Sequence, residues 1–149
     1  MIPFAGLRRA VLRIAATVVV CVPVLAPAAV QAEPACGLYQ YRAEITRVID
    51  GDTVVADIDL GFHTWRRDEH LRLWGINTPE LDGMPDSPGG KAKAALEGKI
   101  LGKKLIICTL KDKQEKFGRY LAKIYVGDEL VNDWLISQGL AEPYMRDGQ

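Results

Sequence analysis

Two neighbouring segments around residue 50 place apolar side chains at every second position. In Tyr39–Ile45 the odd-numbered residues are aromatic or apolar and the others are polar, and a similar alternation runs from residue 54 to residue 60. Alternation with period two is typical of a β-strand that buries one face. Asp50-Gly51, between the two segments, is a common hairpin turn. The sequence therefore predicts a β-hairpin with one buried face.

A third strand and a helix are predicted after this hairpin. Gly61–Asp68 is interpreted as a loop or an irregular hairpin tip, and Glu69–Ile76 as the third strand. Asn77–Gly90 contains three prolines and three glycines, which predicts a loop. The helix is predicted at Lys91–Lys103, because apolar residues recur there at helical spacing.

The C-terminal part adds two strands and a short helix. Leu105–Leu110 is predicted to be a buried strand, Lys111–Gly118 a charged loop and Tyr120–Val126 the fifth strand. A short helix is predicted from Val131 and ends at Gly139. Three strands, a helix, two strands and a helix form the order of the OB-fold, a mainly β, five-stranded barrel that commonly binds oligonucleotides and sugars.

The first 32 residues differ in composition from the rest of the chain. Three arginines precede the almost wholly apolar segment Ile14–Val30, and Val30-Gln31-Ala32 has small residues at the two positions that a signal peptidase reads. This pattern is typical of a secretory signal peptide, with cleavage expected after Ala32. A membrane anchor is the alternative, but a spanning helix needs about 20 apolar residues. The apolar segment is shorter and contains two prolines.

Export sets the expected domain organisation. Residues 33–38 are expected to be a tail, residues 39–144 the folded domain and residues 145–149 a frayed end. Removal of residues 1–32 leaves 16 basic against 19 acidic residues, a net charge of −3. This excludes a strongly basic nucleic-acid-binding protein, so a polyanion must bind a local cluster or a metal. We expect a monomer in the periplasm or the medium, with no stable membrane association after cleavage.

Two cysteines, Cys36 and Cys108, remain after the predicted cleavage. An exported protein can form a disulfide between them. Cys108 also lies in an apolar predicted strand, where a free buried thiol is common. The sequence leaves both possibilities open.

Four short segments combine turn residues with charged side chains. Asp50 and Asp52 suit a turn between two strands, but two carboxylates at a strand end also suit a hard cation. Arg72 is predicted on the polar face of the third strand, where an arginine is usually exposed to solvent. The two other segments, Asn77–Glu80 and Lys116–Tyr120, each look like a surface turn when taken alone.

Together and in this order, these segments resemble the staphylococcal nuclease (thermonuclease) family. The resemblance extends from about Tyr41 to Glu142. The matching residues are Val48-Ile49-Asp50-Gly51-Asp52-Thr53, Leu71-Arg72-Leu73 with Asn77-Thr78-Pro79-Glu80, Lys116-Phe117-Gly118-Arg119, and Leu130-Val131-Asn132 with Gln138-Gly139-Leu140-Ala141. Four separated blocks in register make a chance similarity improbable.

The resemblance implies a calcium-dependent enzyme that hydrolyses DNA and RNA and leaves 3′-phosphate ends. It implies that Asp52 binds Ca²⁺ directly and that Thr78 adds its backbone carbonyl. Asn77 stands where the family typically has a second aspartate ligand, so this site would carry one negative charge fewer. Asp50 would lie behind the ligands.

The resemblance also implies which residues act on the substrate. Glu80 would be the general base or would orient the attacking water, and Arg72 and Arg119 would bind the phosphate. Lys116 and Tyr144 are further candidates for substrate contacts.

Two classes of function are compatible with these residues. The first is a secreted nuclease, which is favoured because binding alone would not need a carboxylate beside a phosphate site. The second is a non-catalytic OB-fold module that binds nucleic acid or another ligand, which Asn77 and the net charge of −3 favour. The segment Gly61–Asp68, which contains His63 and Trp65, is either a base-stacking rim or a solvated hairpin tip. A third class, an exported structural domain, has no positive feature in its favour.

Overall fold

The computed structural model describes residues 36, 39–114 and 118–144. The predicted signal peptide, Lys116 and the predicted frayed end lie outside these residues. In chain order the elements are β1 (Gln40–Val48), β2 (Thr53–Asp59), β3 (Trp65–Leu73), β4 (Ile76–Asn77), α1 (Pro88–Ile100), β5 (Lys104–Gln114), β6 (Tyr120–Val126), β7 (Glu129–Leu130), α2 (Val131–Ser137) and β8 (Glu142–Pro143). Neither helix of the described part has both the length and the hydrophobicity of a membrane span.

Five of the strands form a closed barrel. β1, β2 and β3 are antiparallel neighbours in sequence order, and β5 pairs with β1 on one side and β6 on the other. The barrel closes where β3 and β6 run parallel, with Leu71 opposite Tyr120 and Leu73 opposite Ala122. The predicted OB-fold barrel, with a helix between its third and fourth strands, is therefore confirmed. The short strand β4 pairs with β8, and β7 extends β6.

The interior of the barrel contains the apolar face that the alternation predicted. Ala43 and Ile45 on β1 are buried, as is Leu71 on β3. Leu96 of α1 and Leu135 of α2 are fully buried against the same core. Each such leucine or isoleucine contributes about 1.5–3 kcal/mol to stability on burial, so both helices are held on the barrel by their apolar sides.

The third strand starts earlier than predicted. β3 begins at Trp65, within the segment interpreted as a loop, and a β-bulge places Arg67 and Asp68 opposite Asp57. Asp57 holds the bulge, because its carboxylate accepts from Arg67 Nη1 (2.5 Å) and from the Asp68 N–H (3.1 Å). The bulge breaks the period-two pattern, and the alternation therefore fails as a guide there. β3 also ends at Leu73, before Gly75, whose φ is +77°.

The first helix is shifted towards the N-terminus relative to the prediction. It begins at Pro88, because the Ser87 hydroxyl accepts from the Gly90 N–H (3.1 Å) and proline is tolerated in the first turn. It ends at Ile100, and Gly102 follows with a φ of +67°.

The fourth barrel strand, β5, is longer than predicted, since it continues beyond Leu110 into the segment predicted to be a charged loop. Backbone pairing with β6 near its end does not require apolar side chains.

A disulfide joins Cys36 to Cys108, with their Cα atoms 5.6 Å apart. Cys108 is buried on β5, where its register partner on β1 is Gln40. Of the two possibilities for the cysteines, the structure thus shows the bridged one. The bridge joins Cys36, before β1, to the buried Cys108 on β5.

Candidate active site

The turn between β1 and β2 builds one wall of a cleft. The Ile49 and Asp50 N–H groups donate to Thr53 O (2.9 and 3.3 Å), and the Asp52 N–H donates to Asp50 Oδ1 (2.9 Å). Gly51 is buried within this turn, where an added Cβ would lie 2.7 Å from Thr78 Oγ1. The turn therefore packs directly against the segment after β4, as only a glycine allows.

Asp52 is the buried acid of this turn, with a residue exposure of only 4%. Its Oδ1 accepts from Arg72 Nη1 (2.5 Å) and from Thr53 Oγ1 (3.2 Å), and its Oδ2 accepts from the Thr78 N–H (3.2 Å). Burial raises the pKa of the Asp52 carboxyl above its ordinary 3.8; Arg72 opposes this shift and Asp50 adds to it. A cation at this carboxylate would favour its charged form.

Arg72 connects two strands at the cleft. It lies opposite Thr53 in the β2–β3 register, and its Nη2 donates to Asn77 Oδ1 (3.1 Å) while its Nη1 donates to Asp52. The prediction that Arg72 points away from the apolar face of β3 is confirmed. The expectation for an ordinary barrel, a solvated arginine, is wrong here, because the side chain is only 16% exposed.

Arg119 reaches the same cleft from the segment just before β6. It immediately precedes β6, which runs parallel to β3, and its Nη1 donates to Thr53 Oγ1 (2.7 Å). Thr53 is buried and also donates to Asp52. Its hydroxyl thus links the second arginine to the buried acid. No role was predicted for Thr53 from the sequence, although its place in the matching block Val48–Thr53 was a possible signal.

These side chains line a cleft of about 500 Å³. Six of the predicted site residues lie on its walls: Asp50, Asp52, Arg72, Thr78, Glu80 and Arg119. The remaining lining residues are Ile49, Thr53, His70 and Pro79. His70 was not predicted from the sequence. It occupies the same outward face of β3 as Arg72, two positions away, so the strand alternation alone could have indicated it.

The other predicted residues have different positions. Asn77 is exposed and is joined to the site through Arg72. Tyr144 is exposed beyond β8, where its N–H donates to Gly75 O (3.0 Å). Lys116 lies outside the described residues, so its predicted contact stays a prediction.

The donor set at the cleft fits a hard cation. The carboxylate of Asp52 comes from the β1–β2 turn and the amide oxygen of Asn77 from β4, and both face one positive group, the guanidinium of Arg72. Such oxygen donors, with a backbone carbonyl, are those that Ca²⁺ prefers. Within the described part of the chain there is no group of three or more His, Cys, Asp or Glu side chains placed to hold a metal, so a site here would use amide and carbonyl oxygens as well.

Comparison with known proteins agrees with this geometry. Residues 70–149, more than half of the chain, match the family described as staphylococcal nuclease homologue. The chain belongs to this family. Arg72, Asn77, Thr78, Glu80 and Arg119 lie inside the matched residues. The two acids of the turn precede them, and the register of β2 with β3 places Asp52 beside Arg72.

Several curated proteins are similar to the chain over 100 residues or more. The chain is 37% identical over 100 residues to a thermonuclease of Staphylococcus intermedius, which covers 65% of this chain and 56% of the relative. It is 35% identical over 102 residues to a thermonuclease of Staphylococcus hyicus, again covering 56% of the relative. Protein ParB of Escherichia coli is 30% identical over 119 residues, 61% of its length. The chain thus spans little more than half the length of these curated relatives.

Proposed function

We propose that this nuclease-family protein is an exported, calcium-dependent enzyme that hydrolyses phosphodiester bonds of DNA and RNA as a monomer. The observation that carries the proposal is that a buried acid, two arginines and an exposed glutamate line one cleft. Binding alone would need the arginines but not Glu80. Two relatives named thermonuclease support the same activity.

The arginines suit the charge that develops during hydrolysis. Water attacks phosphorus, the bond to the leaving 5′ oxygen breaks, and the equatorial oxygens gain negative charge in the transition state. Arg72 and Arg119 stabilise that charge more than the ground state, which lowers the barrier. Each guanidinium stays charged and donates two hydrogen bonds in a fixed plane. The hydrogen bond from Arg119 to Thr53 holds Arg119 in place before the substrate arrives.

Glu80 is the proposed proton acceptor. Its side chain is exposed at the cleft, so water and a substrate strand can reach its carboxylate. There it accepts a proton from the attacking water, or aligns that water, as a general base does. The leaving oxygen takes up a proton from solvent.

Asp52, the Thr78 backbone carbonyl and Asn77 are the proposed calcium ligands, with Asp50 behind them. Bound Ca²⁺ would supply positive charge next to the phosphate. The neutral amide of Asn77 makes the site less negative than one with two carboxylates, so we expect weak affinity for Ca²⁺. Arg72, which pairs with both Asp52 and Asn77, competes with the cation for these oxygens.

Export is proposed from the N-terminal segment, whose arginines and apolar run suit a secretory signal with cleavage after Ala32. The Cys36–Cys108 disulfide supports the same proposal, because such bridges persist in oxidising compartments. The expected location is the periplasm or the medium. Fractionation of a bacterial host expressing the full chain tests this: retention of the uncleaved chain in the membrane would favour the anchor instead.

The activity is tested by digestion of plasmid DNA and RNA with Ca²⁺ or with EDTA. We expect degradation only with Ca²⁺, and a loss of about 100-fold or more in Glu80→Gln. Asp128→Asn is the matched control, because this exposed acid lies in the turn after β6.

The alternative is a non-catalytic nucleic-acid-binding module, which Asn77 favours. Binding without cleavage by the folded protein in Ca²⁺, Mg²⁺ and Mn²⁺ would establish that alternative.

A further inference from the structure

The first turn of α1 lies directly against the backbone that carries Glu80. A Cβ added to the buried Gly89 would lie 2.2 Å from Glu80 O, 2.7 Å from Glu80 C and 2.8 Å from Pro79 O. Ordinary van der Waals contacts of a Cβ are 3.4–4 Å. The helix and this segment can therefore be this close only because position 89 has no side chain.

The helix cannot easily move away to accommodate a side chain at position 89. Ala92, Leu96 and Ile100 are fully buried on its apolar side. Ser87 fixes its start, because the hydroxyl donates to Met84 O (2.7 Å) and accepts from the Gly90 N–H (3.1 Å). A Cβ at position 89 would consequently displace the Pro79–Glu80 backbone rather than the helix.

The residue before Pro79 is confined as well. A Cβ on Gly51 would lie 2.7 Å from Thr78 Oγ1, 2.8 Å from Thr78 Cβ and 2.9 Å from Ala92 Cβ of α1. Two positions without side chains, one in the β1–β2 turn and one in α1, therefore pack closely against Thr78–Glu80. Glu80 is exposed, so the position of its backbone determines where its carboxylate lies relative to the cleft.

We propose that Gly89 is a positioning residue, which holds Glu80 at the distance from the phosphate site that proton transfer requires. Glycine is a poor helix former, and its presence in the first turn is explained by this close approach. The proposal rests on the proposed nuclease activity. It adds that the kcat of this enzyme depends on a residue that touches neither substrate nor metal.

Three glycine-to-alanine variants separate positioning from stability. Gly89→Ala clashes with Glu80. Gly90→Ala clashes as severely, 2.4 Å from Met84 O and from Pro85 O, but meets a different part of the loop. Gly98→Ala meets nothing within 4 Å and controls for the substitution itself. If Gly89→Ala folds poorly, it is combined with Gly98→Ala, which favours the helix.

The variants are compared in full-length protein, at a temperature at which circular dichroism shows all of them folded, with saturating Ca²⁺. Gly89→Ala is expected to lower kcat about 10- to 100-fold, as small misplacements of catalytic groups do, with little change in KM or in calorimetric Ca²⁺ affinity. The kcat of Gly90→Ala and of Gly98→Ala is expected to stay within about threefold of the parent value. Both variants keep Gly89, so the contact between Gly89 and the Glu80 backbone is unchanged.

A double-mutant comparison tests whether the effect passes through Glu80. In a Glu80→Gln background, Gly89→Ala should cause no further loss, because the group that it misplaces is already inactive. An equal loss in both backgrounds, an equal loss in Gly90→Ala, or full activity of folded Gly89→Ala would overturn the proposal. An inactive parent enzyme would instead contradict the proposed nuclease function, so the two failures are distinct.

Discussion

Arg119 donates a hydrogen bond from Nη1 to the hydroxyl of Thr53 over 2.7 Å, across 66 positions of sequence. Thr53 is 2% exposed and donates in turn to Asp52. One small side chain therefore couples a proposed phosphate-binding arginine to the proposed metal-binding acid. Thr53 begins β2 and Arg119 directly precedes β6, so the two residues meet only because the pairing of β3 with β6 closes the barrel.

Replacement of Thr53 by valine should uncouple these groups while preserving shape. We expect kcat/KM to fall about tenfold, which corresponds to the loss of one hydrogen bond to a charged group. Thr53→Ser keeps the hydroxyl and should retain most of the activity. Steady-state kinetics on a short oligonucleotide measures both variants. If the valine variant is fully active, Arg119 does not need this anchor.

Replacement of Asn77 by aspartate should strengthen calcium binding. The new carboxylate adds one negative charge to the proposed ligand set, and affinity for Ca²⁺ rises with ligand charge. We expect Kd to fall about tenfold, a change of about 1.4 kcal/mol. Isothermal titration calorimetry provides the measurement. Gln138→Glu adds the same charge on an exposed residue after α2 and should leave Kd unchanged. An unchanged Kd in Asn77→Asp would show that residue 77 is not a ligand.

The disulfide should make a large contribution to stability. Cys36 and Cys108 are 72 positions apart, and closure of a loop of that length removes entropy worth about 4 kcal/mol from the unfolded chain. Cys36→Ser/Cys108→Ser is therefore expected to melt well below the wild type. Thermal unfolding with and without a reductant tests this, and mass measurement before and after alkylation verifies the bridge. Two free thiols in protein purified without a reductant would contradict the structure.

Acid should release the bulge in β3. The hydrogen bonds from Arg67 and from the Asp68 N–H lower the pKa of Asp57 below 3.8. A carboxyl whose pKa is lower in the folded state stabilises fully above its unfolded pKa, and this contribution is lost as pH falls through the folded pKa. Asp57→Asn should thus be less stable than the wild type at pH 7, and the difference should shrink as pH falls below 3.8 and through the folded pKa of Asp57. Chemical unfolding at pH 7 and in acid gives the comparison. An equal difference at both would exclude the carboxylate as its cause.

Local sequence patterns determine most of the fold. The fifth barrel strand, Tyr120–Val126, has the predicted bounds, and the turn at Asp50-Gly51 lies where the alternation is interrupted. Both depend on neighbouring residues only, which is why sequence suffices. The bulge in β3 was not predicted, because it depends on hydrogen bonds to Asp57 on another strand. The start of α1 was missed although Ser87-Pro88 is a local signal for it, because the prolines and glycines of this segment indicated a loop.

The site divides in the same way. The sequence by itself indicated two arginines and three acids, because their spacing matches the family, and it showed an amide, Asn77, where the family typically has an aspartate. Only the tertiary structure decided that Arg72 binds Asp52 and Asn77 together, that Thr53 joins Arg119 to the same acid, and that Gly89 touches the backbone of Glu80. These relationships arise from strand register, barrel closure and helix docking. The contacts that set them are remote in sequence, so no local pattern encodes them.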